Sequence, residues 1–557
     1  MDGIDELVIE EMACPSRKSQ SLVAVGDSKW SESSKNEERP VTYTTKDLDE
    51  PEKFDDMSYA RIGLILFSLG LCTFLYAIEQ TIVSTSVSSI AAGTKATGSL
   101  TWITTSYLLT TTVIQPLAGR LTEVFGTKRM LLAEVWIFIF GNIIAGTAHN
   151  IKQLVAGRLI AGVGGAGLMS LCTIIVSQLT HERQRSSYLN LINVVFIIAD
   201  STGPVLGGIL AKSGNWRWIF LLNAPLGPLI TAILIYSVHI KHLPKGNDIR
   251  TTIRSLDLLG MGLIISWLTL FIIALNLGGD AYAWGSPVII GLFVGAGCAF
   301  IAFIVAENYA TNPVVPMGLF VSWKTRNVPI MTVFLQVTGK PSILAAALVI
   351  PFLFTAALAS TISNQIAAKY DIVRPTFLIG QVILPIGMGL MSTLDATNSV
   401  GQVVGYTIIC GFGFGAGTTT SMVIPQAGLP PDLLPTVTAF ISATPNLGGV
   451  LGVGIVGTII NNQFRTRLAA LAGTTNVPAN VNDAVAAAQN PLYGAAAVSA
   501  YVDAFQLGFR VLAGVAAFQF ALCLLLGRVV LHGSSATKEQ SDDDIELQEA
   551  NVSNTTS

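Results

Sequence analysis

Long apolar blocks recur along most of the chain, separated by short polar stretches. A first set lies near residues 62–83, 99–118, 130–148, 153–178, 187–211 and 216–240. A second lies near 257–277, 286–306, 342–367, 375–394, 400–426, 435–460 and 505–531. A helix needs ~20 mainly apolar residues to cross ~30 Å of hydrocarbon, so the pattern predicts an all-α membrane protein with thirteen clear spans. One further block, 328–338, has only eleven residues. As a helix it would cover roughly 16 Å, about half of the hydrocarbon.

Charge adds a topology. The chain is 51% hydrophobic and 12% charged, a balance foreign to soluble globular domains. Residues 1–60 carry 15 acidic and 7 basic side chains, and residues 535–557 carry 6 and 1. These ends sum to −13, leaving +10 for 61–534 against the overall −3. Rich in Ser and acids and poor in aromatics, segments 1–60 and 532–557 are expected to be disordered acidic cytosolic tails. The N-terminus lacks the basic-then-apolar layout of a cleaved signal, so the first span is expected to serve as its own uncleaved address. With the N-terminus inside, inner loops hold 13 Lys and Arg residues and outer loops 7, as the positive-inside rule requires. That bias survives only if the chain crosses an even number of times between Arg326 and Lys369. The charges ask for fourteen spans, and the apolar blocks supply thirteen and a fragment. The expected organisation is a six-helix bundle over 61–240, a linker with two extra spans over 241–326, and a second bundle over 327–531. The second bundle includes the fragment 328–338 and an outer loop, 461–503, with a helical stretch near 481–488.

Several clusters carry candidate chemistry. GRLTEVFGTKR at 119–129 follows the second span. Gly119 and Gly126 permit a tight turn, and Arg120, Glu123, Lys128 and Arg129 can pair at the inner face. In the fourth span, Gly162, Gly164 and Gly167 match a dinucleotide-binding spacing, but that fingerprint needs a preceding strand; a close helix–helix seam is the better reading. Arg158 in the same span is a cation at membrane depth and should face a partner or a wet cavity. The fifth span holds Asp200 followed by GPVLGG at 203–208. There Pro204 frees a backbone carbonyl, while Gly203, Gly207 and Gly208 admit a close neighbour.

These clusters resemble signatures of the major facilitator superfamily. Residues 119–129 resemble its G-x-L-x-D-x-x-G-R-[KR] loop, with Glu123 at the acidic position and Thr127 where Arg is usual. Arg158 matches the fourth-helix Arg associated with proton transfer. GPVLGG resembles the antiporter motif of the exporters. IEQTIVST at 78–85 resembles the first-helix pattern of the fourteen-span drug:proton antiporters, with Glu79 for the usual Asp. WRWIFLLNAPLG at 216–227 is similar to the start of their sixth helix. The overall resemblance is to fungal efflux pumps for toxins and antifungals. It implies the major-facilitator fold, two six-helix bundles with two extra central helices. It also implies proton-coupled efflux of small apolar compounds, such as a secondary-metabolite toxin or a drug, by alternating access. Siderophore or basic amino-acid transport on the same fold is the alternative. Family members have a complete helix where this chain has 328–338; a deletion or a mis-spliced gene model would account for the shortening, and a transport-inactive paralogue or sensor is the further reading.

An antiporter needs a group that titrates and a place for cargo. The acids at membrane depth are Glu79, Glu134 and Asp200, with Arg158 as the cationic partner. Tyr76 shares a helical face with Glu79. Tyr107, Thr111 and Gln115 follow at four-residue intervals, and with Tyr76 they are expected to line an apolar cargo site with a few polar groups. The six cysteines show no metal-ligand spacing, and no nucleophile–base pair stands out, so the chain reads as no enzyme. The expected partners are cargo, protons and the bilayer, with no cofactor beyond the proton gradient, no metal and no nucleic acid. A monomer in the plasma membrane is expected, with the vacuolar membrane as the alternative.

Overall fold

The computed structural model describes residues 54, 57–83, 85–94, 101–238, 256–278, 282–310, 313–315, 346–370, 372–395, 398–426, 433–472 and 494–525. The fragment 328–338, the stretch 481–488 and the tails beyond residue 525 and before residue 54 lie outside the described residues. The helices, in chain order, are α1 Tyr59–Thr81, α2 Val87–Gly93, α3 Thr101–Ile114, α4 Ala118–Phe125, α5 Thr127–Gly146, α6 Ile151–Leu179, α7 Glu182–Lys212, α8 Trp218–Leu221 and α9 Asn223–Ser237. They continue as α10 Leu258–Leu277, α11 Pro287–Tyr309, α12 Ala346–Tyr370, α13 Val373–Met391, α14 Val400–Val423, α15 Leu434–Ala472 and α16 Gly494–Cys523. A 3-10 turn, Gln115–Leu117, joins α3 to α4.

Local chemistry sets several of the ends. The Asn150 side chain accepts from the Gln153 N–H at 2.8 Å to start α6, and Asp257 accepts from the Gly260 N–H at 2.8 Å to start α10. Ser286 caps α11 just ahead of Pro287, and Ser399 with Gln402 forms a capping box on α14. Each satisfies backbone donors that a helix start leaves open. Among the described residues, ten helical segments are long and apolar enough to cross a membrane. The continuous α3–α4 run, α12 and α15 are membrane-length as well. Outward faces are apolar: Phe140 on α5 and Ile301 on α11 are exposed, a surface that lipid covers without cost and water does not.

Helix direction follows from the cross-bundle contacts. Asn190 near the start of α7 bonds Thr361 near the end of α12. Further along α7, Ile197 joins Phe352 and Leu353 of α12 in one apolar cluster. The two helices are therefore antiparallel, and Lys369 and Arg374 lie at the end of the molecule that carries the α4–α5 turn. On the other side of the interface, α3 and α4 run antiparallel to α15, through Gln115–Ser442 and Glu123–Thr436. The extra pair, α10 and α11, packs beside this contact: Ile264, Leu268 and Phe303 cluster with Leu109 and Val113 of α3.

Two expected boundaries differ. Helix α15 continues past 460 to Ala472, and α16 begins at Gly494 rather than near 505, so both ends of the expected outer loop 461–503 are helical. Ala-rich sequence favours helix wherever nothing breaks it, and hydropathy marks only the greasiest part of such a helix. Of the cysteines, Cys72, Cys172, Cys410 and Cys523 are buried, while Cys298 is exposed on the outer face of α11.

Candidate functional site

Glu79 sits one turn along α1 from Tyr76, and both are buried. Arg158 of α6 donates to Glu79 Oε1 in a fully buried ion pair. The Arg158 Nε donates to the Ile103 carbonyl at 3.3 Å. The guanidinium lies 4.6 Å from the Tyr107 ring centroid and 5.6 Å from that of Phe220, a cation–π contact strengthened by the dry surroundings. The second oxygen of Glu79 accepts from Asn223 Nδ2 at 2.8 Å. Every polar arm of the carboxylate is thus engaged, as a buried charge demands. Breaking such a pair by removing one partner costs about 3–5 kcal/mol.

A neutral polar belt begins one turn away. Asn446 of α15 donates to the Tyr76 hydroxyl at 2.7 Å and to Gln115 Oε1 at 2.6 Å. Gln115 Nε2 donates to the Ser442 carbonyl at 2.8 Å, and the Phe196 ring flanks Tyr76 at 6.3 Å. Asp200, half-buried on α7, lies within electrostatic reach of the Tyr76 hydroxyl. The belt continues where α7 meets α12 and α14. Ser360 donates to Asn190 Oδ1 at 2.8 Å and lies 2.8 Å from the Thr419 hydroxyl, to which Asn193 donates at 3.3 Å.

The expected Tyr107–Thr111–Gln115 stripe is therefore divided. Gln115 reaches the interface between the bundles and joins Tyr76. Thr111 instead donates to the Tyr107 carbonyl at 2.7 Å and contacts the Gly162 carbonyl at 3.3 Å, which makes it a packing residue between α3 and α6. Tyr107 lies under Arg158. A four-residue interval turns a helix face by about 40° per step, so three successive positions need not share a wall. Glu134 lies apart from Glu79. It is buried on α5 against Gly167, and its Oε2 has no hydrogen-bond partner among the described residues.

The glycine seam is a packing device: Gly164 abuts the Phe138 backbone of α5, and Gly162 abuts Thr110 and the Tyr107 carbonyl of α3. In the GPVLGG segment, Gly203 and Gly207 press on the end of α1, where Thr85 and Ser86 donate to the Pro204 and Gly207 carbonyls at 3.0 and 2.8 Å. Gly208 faces open space.

The two loop glycines of 119–129 do different work. Gly126 alone makes the turn, at φ 81°. Gly119 is helical and lets α4 touch α15, where a Cβ would lie 2.6 Å from the Pro435 carbonyl oxygen. Glu123 pairs with Arg120 at 2.8 Å and accepts from the Thr436 hydroxyl of α15 at 3.0 Å. Arg120 also donates to the Pro313 carbonyl, just beyond α11. Lys128 donates to the Ile235 carbonyl of α9 at 2.9 Å instead of joining Glu123, and Arg129 is exposed. A second tie at this end links Ser177 Oγ to Gln426 Oε1 at 3.1 Å and Gln426 Nε2 to Thr438 at 3.1 Å. Arg185 adds a contact to the Gln426 carbonyl at 3.4 Å.

Sequence reasoning missed Asn223, Asn446 and the Asn190–Ser360–Thr419 group. The available signal was their type: amides and hydroxyls at membrane depth require partners.

Comparison with known proteins agrees with this architecture. The Major Facilitator Superfamily profile matches residues 69–453, and the chain belongs to that family. It is a multi-pass membrane transporter. The chain is 28% identical to an MFS-type transporter, pigP, of Monascus ruber, over 73% of this chain and 75% of that protein. It is 29% identical to the efflux pump FUS6 of Gibberella moniliformis, over 74% and 77%. It is 28% identical to the rubrofusarin-specific efflux pump aurT of Gibberella zeae, over 74% and 79%. A solved structure of the proton:xylose symporter XylE shares the fold at a TM-score of 0.54 and 13% identity, covering 85% of this chain and 98% of that one.

Proposed function

We propose that the chain exports small, largely apolar organic compounds across the plasma membrane in exchange for protons. The observation that carries this reading is the pair of helices shared by two sites. Helix α1 holds Glu79 and Tyr76 on consecutive turns. The continuous α3–α4 run holds Tyr107 and, ~12 Å further along at 1.5 Å per residue, Gln115 in its 3-10 turn. Both helices end their polar contacts on one residue of the second bundle, Asn446. A change at the Glu79–Arg158 pair therefore has a short mechanical route to the belt that meets cargo.

A proton arriving at Glu79 removes the negative charge that holds Arg158. The guanidinium keeps Tyr107 and the Ile103 carbonyl, while α1 loses its strongest tie to α6 and can shift against it. Tyr76 moves with α1, and with it the Asn446 contact between the bundles. The ties of the α4–α5 end, Glu123–Thr436 and Ser177–Gln426–Thr438, hold that side shut in the described conformer and must part for cargo to enter from the cytoplasm. Asp200 beside Tyr76 is a second candidate for carrying the proton, and Glu134 a third. The belt's contributions from the second bundle are uncharged, which suits cargo bearing hydroxyl or carbonyl groups on an apolar frame. The names of the similar fungal efflux pumps support export rather than uptake.

Purified protein in liposomes tests this reading, with rubrofusarin as the probe. An imposed proton gradient should drive the probe against the direction of proton flow, and collapsing the gradient should stop it. Uptake in the same direction as protons would refute export by exchange.

A further inference from the structure

Asn223 is the first residue of α9, just past the short helix α8 and inside the WRWIFLLNAPLG segment, and is buried. Its position is fixed from the chain before it. The Trp216 ring fills the space beside Gly93, and Arg217 donates to the Ala148 carbonyl at 3.3 Å while lying over the Trp216 ring. These contacts anchor the start of α8 and α9 and so deliver the Asn223 amide to Glu79. Nδ2 donates to Glu79 Oε2 at 2.8 Å. Its other polar atom, Oδ1, is buried with no hydrogen-bond partner among the described residues. A lone buried acceptor next to a carboxyl group calls for an explanation.

We propose that Asn223 is the positioning residue that serves Glu79 in both of its charge states, an inference that rests on Glu79 being the group that takes up the proton. An ionised carboxylate only accepts, and the amide N–H meets it. A protonated carboxyl must also donate, and needs an acceptor. The neighbours of Glu79 supply few. Arg158 from α6 has donors only. The Tyr107 ring from α3 lies under the guanidinium with its hydroxyl against Gly165 of α6, Tyr76 on α1 already faces Asn446, and the charge of Asp200 on α7 bears on Tyr76. Turning the Asn223 amide over exchanges N–H for Oδ1 without moving the helix, and Oδ1 then accepts the new O–H. The unpartnered oxygen is the half of the amide that the ionised state leaves idle. A side chain that only braces α9 against α1 would have no use for it.

The test is an infrared titration of the full chain in lipid nanodiscs, with the protonated Glu79 band assigned by its loss in Glu79→Gln. Asn223→Leu keeps the branched shape at a somewhat larger volume and removes both polar atoms. Both charge states lose a hydrogen bond, but the one to the charged form is roughly twice as strong. The neutral form is therefore favoured on balance, and the titration midpoint should rise by about one pH unit, a tenfold change in proton affinity. Loss of the acceptor should move the carboxyl band to the higher frequency of an O–H without a hydrogen bond. Asn223→Ser, whose hydroxyl both donates and accepts, should return both values toward those of the unaltered chain. An unchanged midpoint and frequency in folded Asn223→Leu protein would reduce Asn223 to a brace. A moved midpoint with an unmoved frequency would also overturn the two-state role. If Glu79→Gln removes no titrating band, the coupling reading itself fails, which is a separate outcome.

Discussion

Adding one methyl group at Gly119 should unlatch the α4–α5 end of the transporter. A Cβ there would lie 2.6 Å from the Pro435 carbonyl oxygen, 2.8 Å from Thr436 Cα and 2.9 Å from Ala439 Cβ. Carbon pairs rest at about 3.5–4.0 Å, so α15 must back away by roughly 1 Å, and two of the three obstructing atoms are backbone. Overpacking of this kind costs about 1–3 kcal/mol. The helix-propensity gain of Ala over Gly, about 1 kcal/mol, is present in both conformers and drops out of the gating equilibrium. At 1.4 kcal/mol per tenfold, the closed-to-open ratio should fall by about 5- to 140-fold. Thr438, fully buried beside Gln426, supplies the reporter. In a chain freed of its native cysteines, Thr438→Cys should react slowly with an impermeant maleimide in inside-out vesicles. Adding Gly119→Ala should speed that reaction in proportion to the open fraction. An unchanged rate, with the protein at normal abundance in the membrane, would refute the idea that this contact closes the cytoplasmic side.

Asp200→Asn should slow gradient-driven export by removing a charge that acts on Tyr76, while leaving probe binding measurable by fluorescence quenching; undiminished export would make Asp200 structural. Lys369→Cys, at an exposed position on the α4–α5 end, should label in inside-out vesicles and stay protected in intact cells. Labelling from outside would overturn the fourteen-span topology.

The sequence made the helices legible because lipid imposes one length and one composition on every crossing. Membrane-length helices stand at all thirteen apolar blocks, and the structure departs where composition is mixed, as at 461–472. The charged part of the site was half legible. Glu79 and Arg158 could each be named because a charge at membrane depth is costly. Their meeting could not be read, since 79 and 158 are brought together only by the packing of α1 against α6. Gln115 and Thr111 differ in fate for the same reason: one helix face meets α15 and the next meets α6. Asn223 stood inside a recognised motif, yet its role became visible only once Glu79 was seen beside it.

Proton coupling through Glu79 is the central claim, and Glu79→Gln in liposomes tests it most directly. The variant keeps the size of the side chain and a hydrogen-bonding amide but has no proton to exchange. Two assays on the same preparation, with rubrofusarin as the probe, separate binding from coupling. Exchange of labelled for unlabelled probe at equal pH should persist, because cargo can still cross with the carrier. Accumulation driven by a proton gradient should vanish. Accumulation at the wild-type level would contradict the account and place the coupling proton elsewhere.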